Sequence, residues 1–540
     1  MEEKDMKKYS FIALLFGTLV LSSCSSEFLH RDPQGSAVMQ SQYETFPDAL
    51  EGSIKGIYTQ LYTDNSDDHD DFGLRSLDLQ TDMLSGDIAL TAYTYGWFQT
   101  DEWRMTYSRT GTYWMLFYRM LHNINNAIYT IKNAYEVVQH VAEYGFPSES
   151  TDYKFTDTEI AIAEQYAQLL ALRAFCYSKL AMLYGPVPDD LGSYTISTYK
   201  TVPVYTEDNK DTPQGLSTLE AIFNRANLDY EESIRYFEEF GDGANRENKI
   251  IINLDVVRAL YAYSLLNEAP YWETFKPSKY MEELQICLKN AEDVIYGGRF
   301  SVLPFSELLT NGFNNVNTKC WMWGQEVTVE TTGGLKSFFG QVDIHSYSYA
   351  WAGDTKVIDK FLWDSIPQWD TRKKWFIAPG ESFALCPDKK FFSASNPYST
   401  DDDKLDREWL SDNVFMRIES VYLTAAEAAR KLGKIEDAKN YMLAVVDERV
   451  DANDETAMAA YNDYKNSLNG NNLLSAIEYN WRVELWGEGY GLQTFLRLTH
   501  SKKRGTNHAY EGNAEVHDTD PQFLFSLPSS EITYNPNITD

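Results

Sequence analysis

Residues 418–449 read IESVYLTAAEAARKLGKIEDAKNYMLAVVDER. Ile418, Tyr422, Ala425, Ala429 and Leu432 recur at alternating steps of four and three, one apolar stripe along a helix that Gly433 ends. A second stripe, Ile435, Ala438, Met442 and Val445, begins at once. A one-glycine connection forces the chain to turn back, which predicts two antiparallel helices packed on each other. The alanines on the facing stripe let a neighbouring helix come close.

The same periodicity recurs upstream. Thr45-Phe-Pro-Asp48 offers an N-cap and a first-turn proline, and Phe46, Leu50, Ser53, Ile57 and Leu61 follow as a stripe. Phe117, Leu121, Ile124, Ile128, Ile131 and Tyr135 mark a longer helix. Ala163, Ala167, Leu170, Ala174, Tyr177 and Ala181 mark another, which Gly185-Pro186 stops. Further helical segments run near 218–240, 253–268 and 279–296. The 32 residues of the C-terminal pair lie close to the tetratricopeptide period, and the Ala-rich faces fit that repeat although its fuller consensus is not met. The expected fold class is mainly α: a tetratricopeptide-like helix-pair scaffold over about 46–62, 109–296 and 413–498. Two loop-rich insertions, about 63–108 and 297–412, hold much of the Trp and Tyr. Loops of that length are usually functional or disordered, and aromatic content argues against disorder.

Composition narrows the function. The chain has 540 residues, 43% hydrophobic and 24% charged, with 47 basic against 80 acidic side chains and a formal net charge of −33. Nucleic acid is an unsuitable partner, because phosphate binding needs clustered Lys and Arg. The 37 Tyr, 28 Phe and 13 Trp form an aromatic load that packing alone has to justify or leave to function.

The first residues read as an export signal. Lys4, Lys7 and Lys8 precede an apolar run from Phe11 to Leu21, followed by Ser22-Ser23-Cys24. Eleven apolar residues are too few to span a bilayer. Leu-Ser-Ser-Cys matches the bacterial lipobox, so residues 1–23 are expected to be a lipoprotein signal peptide and Cys24 the lipidated residue that anchors a domain over 24–540 to a membrane. Cys176, Cys287, Cys320 and Cys386 remain, with no CxxC and no spacing that predicts a disulfide.

Other motifs fail their chemistry. Asp64-Asn-Ser-Asp-Asp-His-Asp-Asp71 lacks the Gly at position six and the Glu at position twelve of a calcium loop, and reads as a solvated acidic loop, as does Asp401-Asp-Asp403. Gly487-Glu-Gly-Tyr-Gly491 has no strand before it and no Lys-Ser/Thr after it, and reads as close packing inside a helical stretch. No HExxH, GxSxG or Walker A sequence occurs, and the eight His show no ligand spacing. No catalytic residue, metal site or cofactor is expected.

Several stretches together resemble the SusD/RagB family of outer-membrane nutrient-binding lipoproteins. They are Phe28-Leu29-x-x-Asp32-Pro33, Ala49-Leu50-x-Gly52 with Ile57-Tyr58, and Tyr118 with Ile124-Asn125-Asn126. The run from Leu172-Arg-Ala-Phe to Tyr184-Gly-Pro-Val-Pro188, Asp370-x-Arg372, Arg417 with Ala426-Glu-Ala428, and Trp481-Arg-x-Glu-Leu-Trp-Gly-Glu-Gly489 follow in the family's order. Leu527-Pro-x-Ser-Glu-Ile532 with Asn535-Pro-Asn537 resembles its ending. Gly491 and Thr494 depart from it, standing where the family usually has Arg and Asp. The resemblance implies four tetratricopeptide-like helix pairs under a loop-rich ligand face. It also implies a surface-exposed, lipid-anchored outer-membrane protein that captures oligo- or polysaccharide and delivers it to a SusC-like TonB-dependent transporter. The alternatives are the same scaffold binding peptides, as in the RagB-type branch, or a surface glycoside hydrolase.

Ligand residues have to come from chemistry. Sugar rings present C–H faces that pack on aromatic rings, while their hydroxyls need amide, carboxylate or guanidinium partners. The first candidate cluster runs from Asp82 to Trp103 and includes Tyr93, Tyr95, Trp97, Gln99 and Trp103. The second runs from Trp321 to Trp351 and includes Tyr347 and Tyr349, with Asp354 just beyond.

Overall fold

The computed structural model describes residues 47–63, 66–92, 94–98, 107–241, 247–393 and 410–538. The signal segment, Cys24, the Thr45 cap and Asp401–Asp403 lie outside them, as do Tyr93, Gln99 and Trp103. The chain divides into two compact units, Met1–Ser53 and Ile54–Asp540.

Most of the helices fall where periodicity predicts them, and one, inside the first loop-rich insertion, does not. The main ones are α1 (Pro47–Thr59), α2 (Leu74–Ser85), α3 (Tyr107–Ala134), α4 (Asp157–Tyr184), α5 (Leu219–Phe240), α6 (Leu254–Glu268), α7 (Pro277–Gly297), α8 (Ile418–Lys431), α9 (Ile435–Val446) and α10 (Leu473–Glu484), with further helices between them, Glu455–Ser467 among these. Caps define several starts. The Thr156 hydroxyl accepts the Glu159 amide while the Glu159 carboxylate accepts the Thr156 amide at 2.8 Å, a reciprocal box that opens α4. The Asn253 side chain accepts the amides of Asp255 and Val256 and opens α6. Between α8 and α9, Gly433 at φ +77° makes the predicted reversal, and the Lys434 amide donates back to the Ala429 carbonyl at 2.9 Å.

Consecutive helices pack on each other: α3 and α5 on α4, α6 on α7, α7 on α8 and α8 on α9. Helix α4 is buried almost all round in its second half, which is why its apolar residues fill more than one stripe. Arg173 sits inside it without destabilising the core, because Asp229 of α5 accepts two of its N–H groups at 2.7 Å and Asn125 and Glu207 accept others.

The loop-rich insertions contain more structure than expected. Helix α2 lies inside the first, and all twelve of its residues are buried. Its sequence, LRSLDLQTDMLS, has no solvent-facing polar side to betray a helix, since its polar side chains are buried against partners inside the protein. Arg75 pairs with Asp78 at 3.0 Å and donates to the Gly487 carbonyl at 2.8 Å, and Gln80 donates to the Asp70 carbonyl. Two strand pairs stitch the insertions to each other and to the scaffold. Strand β1 (Ile88–Leu90) pairs antiparallel with β3 (Lys356–Ile358), Ile88 opposite Ile358, and β2 (Trp321–Gln325) pairs with β4 (Asn413–Arg417).

Two further expectations are corrected. Gly487–Tyr490 does not lie within a helix but forms a turn between α10 and a short helix that Gly491 opens, with Gly487 at φ +77° and Gly489 at φ +80°. A Cβ at Gly489 would sit 2.1 Å from Asp78 Oδ1, so this glycine is required by the close approach of α2. The acidic loop is not solvated throughout either. Asp70 and Asp71 are buried, Asp71 accepting the Ser66 amide at 2.8 Å and Asp70 pairing with Arg109.

A buried charge network joins the C-terminal helices to the second insertion. Glu484 accepts from Arg417 at 2.7 Å, from Arg449 at 2.8 Å and from Arg372 at 3.1 Å. Glu488 accepts from Arg417 and Lys390 at 2.8 Å, Asp370 binds Arg372 at 2.6 Å, and Glu419 meets Arg449 at 3.3 Å. Four cations and four carboxylates, all buried, therefore balance without solvent. Burial pushes the Glu484 carboxyl up, but Arg449 and Arg417 overcome it and hold it well below the usual carboxylate range. Arg482, on the same helix, points elsewhere and binds Asp87 at 2.8 Å, which ties α10 to the turn after α2.

Candidate functional site

Three chain segments converge on one aromatic surface. The first is the end of the acidic loop, where His69 precedes Asp70. Asp70 accepts the Phe98 amide at 3.0 Å, which fastens the second segment, residues 94–98, to the first. That bond holds Phe98 at φ +60°, an uncommon conformation for a phenylalanine, with its buried ring against Phe72. The third segment is 341–356. Gln341 donates to the His69 carbonyl at 2.7 Å and accepts from Lys356 at 3.0 Å. Asp354 pairs with Lys356 at 3.4 Å and accepts the Thr94 amide at 3.3 Å. Lys356 is fully buried, and burial lowers its pKa against the pull of Asp354. This polar frame sets the rings above it.

On the frame, His69 stacks on Trp97 with centroids 5.1 Å apart and planes at 9°. Tyr349 stands across both, at 80° to His69 and 71° to Trp97, and its hydroxyl shares a 2.8 Å hydrogen bond with His69 Nδ1. Tyr95 meets Tyr349 edge-on at 5.1 Å. Tyr347 lies against Trp351 at 5.6 Å. Tyr95 and Tyr347 are 49% and 42% exposed and Trp97 and Trp351 half-buried, whereas Tyr349 is 8% exposed and serves as the post behind them. Rings held in a corner by hydrogen bonds, with open outer faces, can pack against a flat apolar ligand face without reorganising.

The structure thus merges the two candidate clusters. Tyr95, Trp97 and Tyr349 come together around His69 because β1 pairs with β3 and draws the two insertions side by side, and Tyr347 pairs with Trp351 on the same segment as Tyr349. Asp82 and Trp321 do not join them. Asp82 is buried in α2 and accepts the amides of Gly491 at 2.7 Å and Gly489 at 3.1 Å, and burial, opposed by those amides, pushes its carboxyl up to about 7. Trp321 is fully buried in β2 opposite Arg417. Asp354 is likewise buried and works beneath the surface. His69 was missed because it stands inside an acidic run. The signal available was a single aromatic ring within a stretch otherwise read as solvent-facing. Among the described residues no group of three or more His, Cys, Asp or Glu is placed to hold a metal ion, and the four described cysteines are free and buried.

Residues 381–540 match the model of the SusD family. No curated protein matches the sequence. Among solved structures, the chain is similar to a SusD-like carbohydrate binding protein from Bacteroides vulgatus, with 19% identity and a TM-score of 0.66, covering 91% of this chain and 97% of that one. A SusD superfamily protein from Bacteroides thetaiotaomicron gives 18% identity and a TM-score of 0.64 over 91% and 98%. One from Parabacteroides distasonis gives 14% and 0.62 over 93% and 99%. The helix-pair scaffold is therefore the SusD fold. The protein is SusD-like, in fold along nearly its whole length and in sequence over its C-terminal 160 residues.

Proposed function

We propose that the protein binds glycans at the surface formed by Tyr95, Trp97, Tyr347 and Trp351, with His69 and Tyr349 as its support. The observation that carries this reading is the preorganised aromatic corner itself: Tyr95 and Trp97 set around the hydrogen-bonded Tyr349–His69 pair, with Tyr347 and Trp351 paired on the same segment as Tyr349. Stacking on C–H faces suits a neutral carbohydrate, which a chain of net charge −33 does not repel. The SusD fold and the carbohydrate-binding relative of that fold support the same ligand class.

In this reading the chain is a lipid-anchored protein, attached through Cys24, on the outer face of an outer membrane. It captures oligosaccharide without cleaving it and passes it to a SusC-like TonB-dependent transporter. No helix among the described residues is long and apolar enough to cross a membrane, which is compatible with a lipid anchor. Affinity electrophoresis against a panel of polysaccharides, with product analysis, tests the reading. Retardation by at least one polysaccharide with no released sugar is expected, and Trp97→Ala should abolish the retardation. Retention by peptides alone, or release of sugar, would replace the reading with one of its alternatives.

A further inference from the structure

A cleft of about 740 Å³ opens in the helical scaffold, and it shares no residue with the aromatic corner. Its volume lies within the ~300–1,000 Å³ of small-ligand sites. Four segments build most of it, the loop that follows α4, the turn that follows α6, the end of α8 at Lys431, and residues 493–500, and Phe223 of α5 and Asp518 also line it. The Tyr271 hydroxyl donates to the Pro186 carbonyl at 2.6 Å and ties the first two together. In the last segment, Phe495–Thr499 form a turn of π-helix, a rare wide turn that is frequent at functional sites.

The polar groups in this cleft select against several ligands. Arg497 does not make it an anion site, because Glu427 takes two of its N–H groups at 2.7 and 2.9 Å and Asn267 takes another at 2.6 Å. Asp189, Glu273 and Asp518 line the cleft as carboxylates, Asp518 sharing a 2.6 Å hydrogen bond with His500, and the one ammonium, Lys431, meets Glu427 at 3.5 Å. An anion would face excess negative charge, and a purely apolar ligand would strand these groups away from water. A polyhydroxylated neutral ligand fits both: its hydroxyls donate to the carboxylates and accept from the ammonium. The rim supplies the matching apolar faces. Tyr194 and Phe275 are 57% and 58% exposed, yet each leans on a neighbouring ring, Tyr194 edge-on to Tyr199 and Phe275 nearly parallel to Trp272.

We propose that this cleft is a second carbohydrate-binding site, taking a short neutral oligosaccharide between Tyr194 and Phe275. It is independent of the aromatic corner, so either assignment can fail alone. The test is hydrogen exchange of the purified chain with neutral gluco-, manno-, galacto-, xylo- and arabino-hexasaccharides, and with a Lys/Arg-rich nonapeptide. At least one hexasaccharide should slow exchange across 186–199 and 269–276. Tyr194→Ala/Phe275→Ala, two exposed positions whose loss leaves the core intact, should weaken that protection tenfold or more. Trp97→Ala/Tyr349→Ala should leave it unchanged. The proposal is overturned if no hexasaccharide protects these segments, if the cleft variant protects as wild type, if the corner variant also loses the protection, or if only the basic peptide protects.

Discussion

The charge network around Glu484 and the aromatic corner around Trp97 are both made of residues distant in sequence, yet they obey opposite rules. In the network every formal charge has a counter-charge within hydrogen-bonding reach and none meets water. In the corner the polar contacts lie underneath and the ring faces are left unsatisfied outward. Five of the motif residues that carry the family resemblance, Asp370, Arg372, Arg417, Glu484 and Glu488, belong to the network. Family likeness at these positions therefore marks how the scaffold is held, and the residues proposed to face the ligand lie outside those motifs.

The sharpest way to break this contrast is Arg417→Met. It leaves Glu484 and Glu488 short of a partner inside the core, and a loss of ~3–5 kcal/mol in denaturant unfolding is expected. A loss below ~1 kcal/mol would show that the network does not hold the scaffold. Trp97→Ala tests the other side. Glycan affinity should fall by ~10–100-fold in calorimetric titration while the melting temperature stays within about 2 °C of wild type.

A buried carboxylate pair that lacks charge balance sharpens the comparison further. Glu268 of α6 and Glu283 of α7 share one ammonium, Lys279, at 3.6 and 3.4 Å. Burial, and then the neighbouring Glu268, push Glu283 up to about 9 from an ordinary 4.5. The unfolded chain thus releases this proton first, so the stability the group contributes below pH ~4.5 is lost as pH climbs towards 9. Glu283→Gln removes that titration, and its melting temperature should decline less than wild type between pH 5 and 9, by ~2 °C. An unchanged profile would mean that the pair does not hold a proton. The smallest expected effect is that of Tyr349→Phe, which keeps the ring and removes the bond to His69. A ~2–5-fold loss of glycan affinity in the same titration is expected, with no change in fold. A loss as large as that of Trp97→Ala would mean that the hydroxyl itself contacts the ligand.

Legibility in the sequence followed amphipathicity. Helices with one apolar stripe, such as α8 and α9, were readable to within a residue or two, including the single-glycine turn. Helix α2 was not, because burial on all sides removes the periodic contrast between faces. Its polar residues look like a loop until their partners, Asp70 and the Gly487 turn, are brought beside them. The same blindness placed Asp82 and Trp321 among the ligand candidates. An Asp or Trp in an apparent loop has the same composition whether it faces solvent or an amide pair across the core.

By itself the sequence determined the mainly helical scaffold, the helix pair at 418–449 and the concentration of aromatics in two insertions, because these are local properties written in spacing and composition. Tertiary structure decided which aromatics meet. Antiparallel pairing of Ile88–Leu90 with Lys356–Ile358 joins segments about 270 residues apart, and Lys356 beneath them fixes the corner. Such a pairing depends on registry and buried polar satisfaction between distant segments, and neither leaves a trace in the order of residues along one of them.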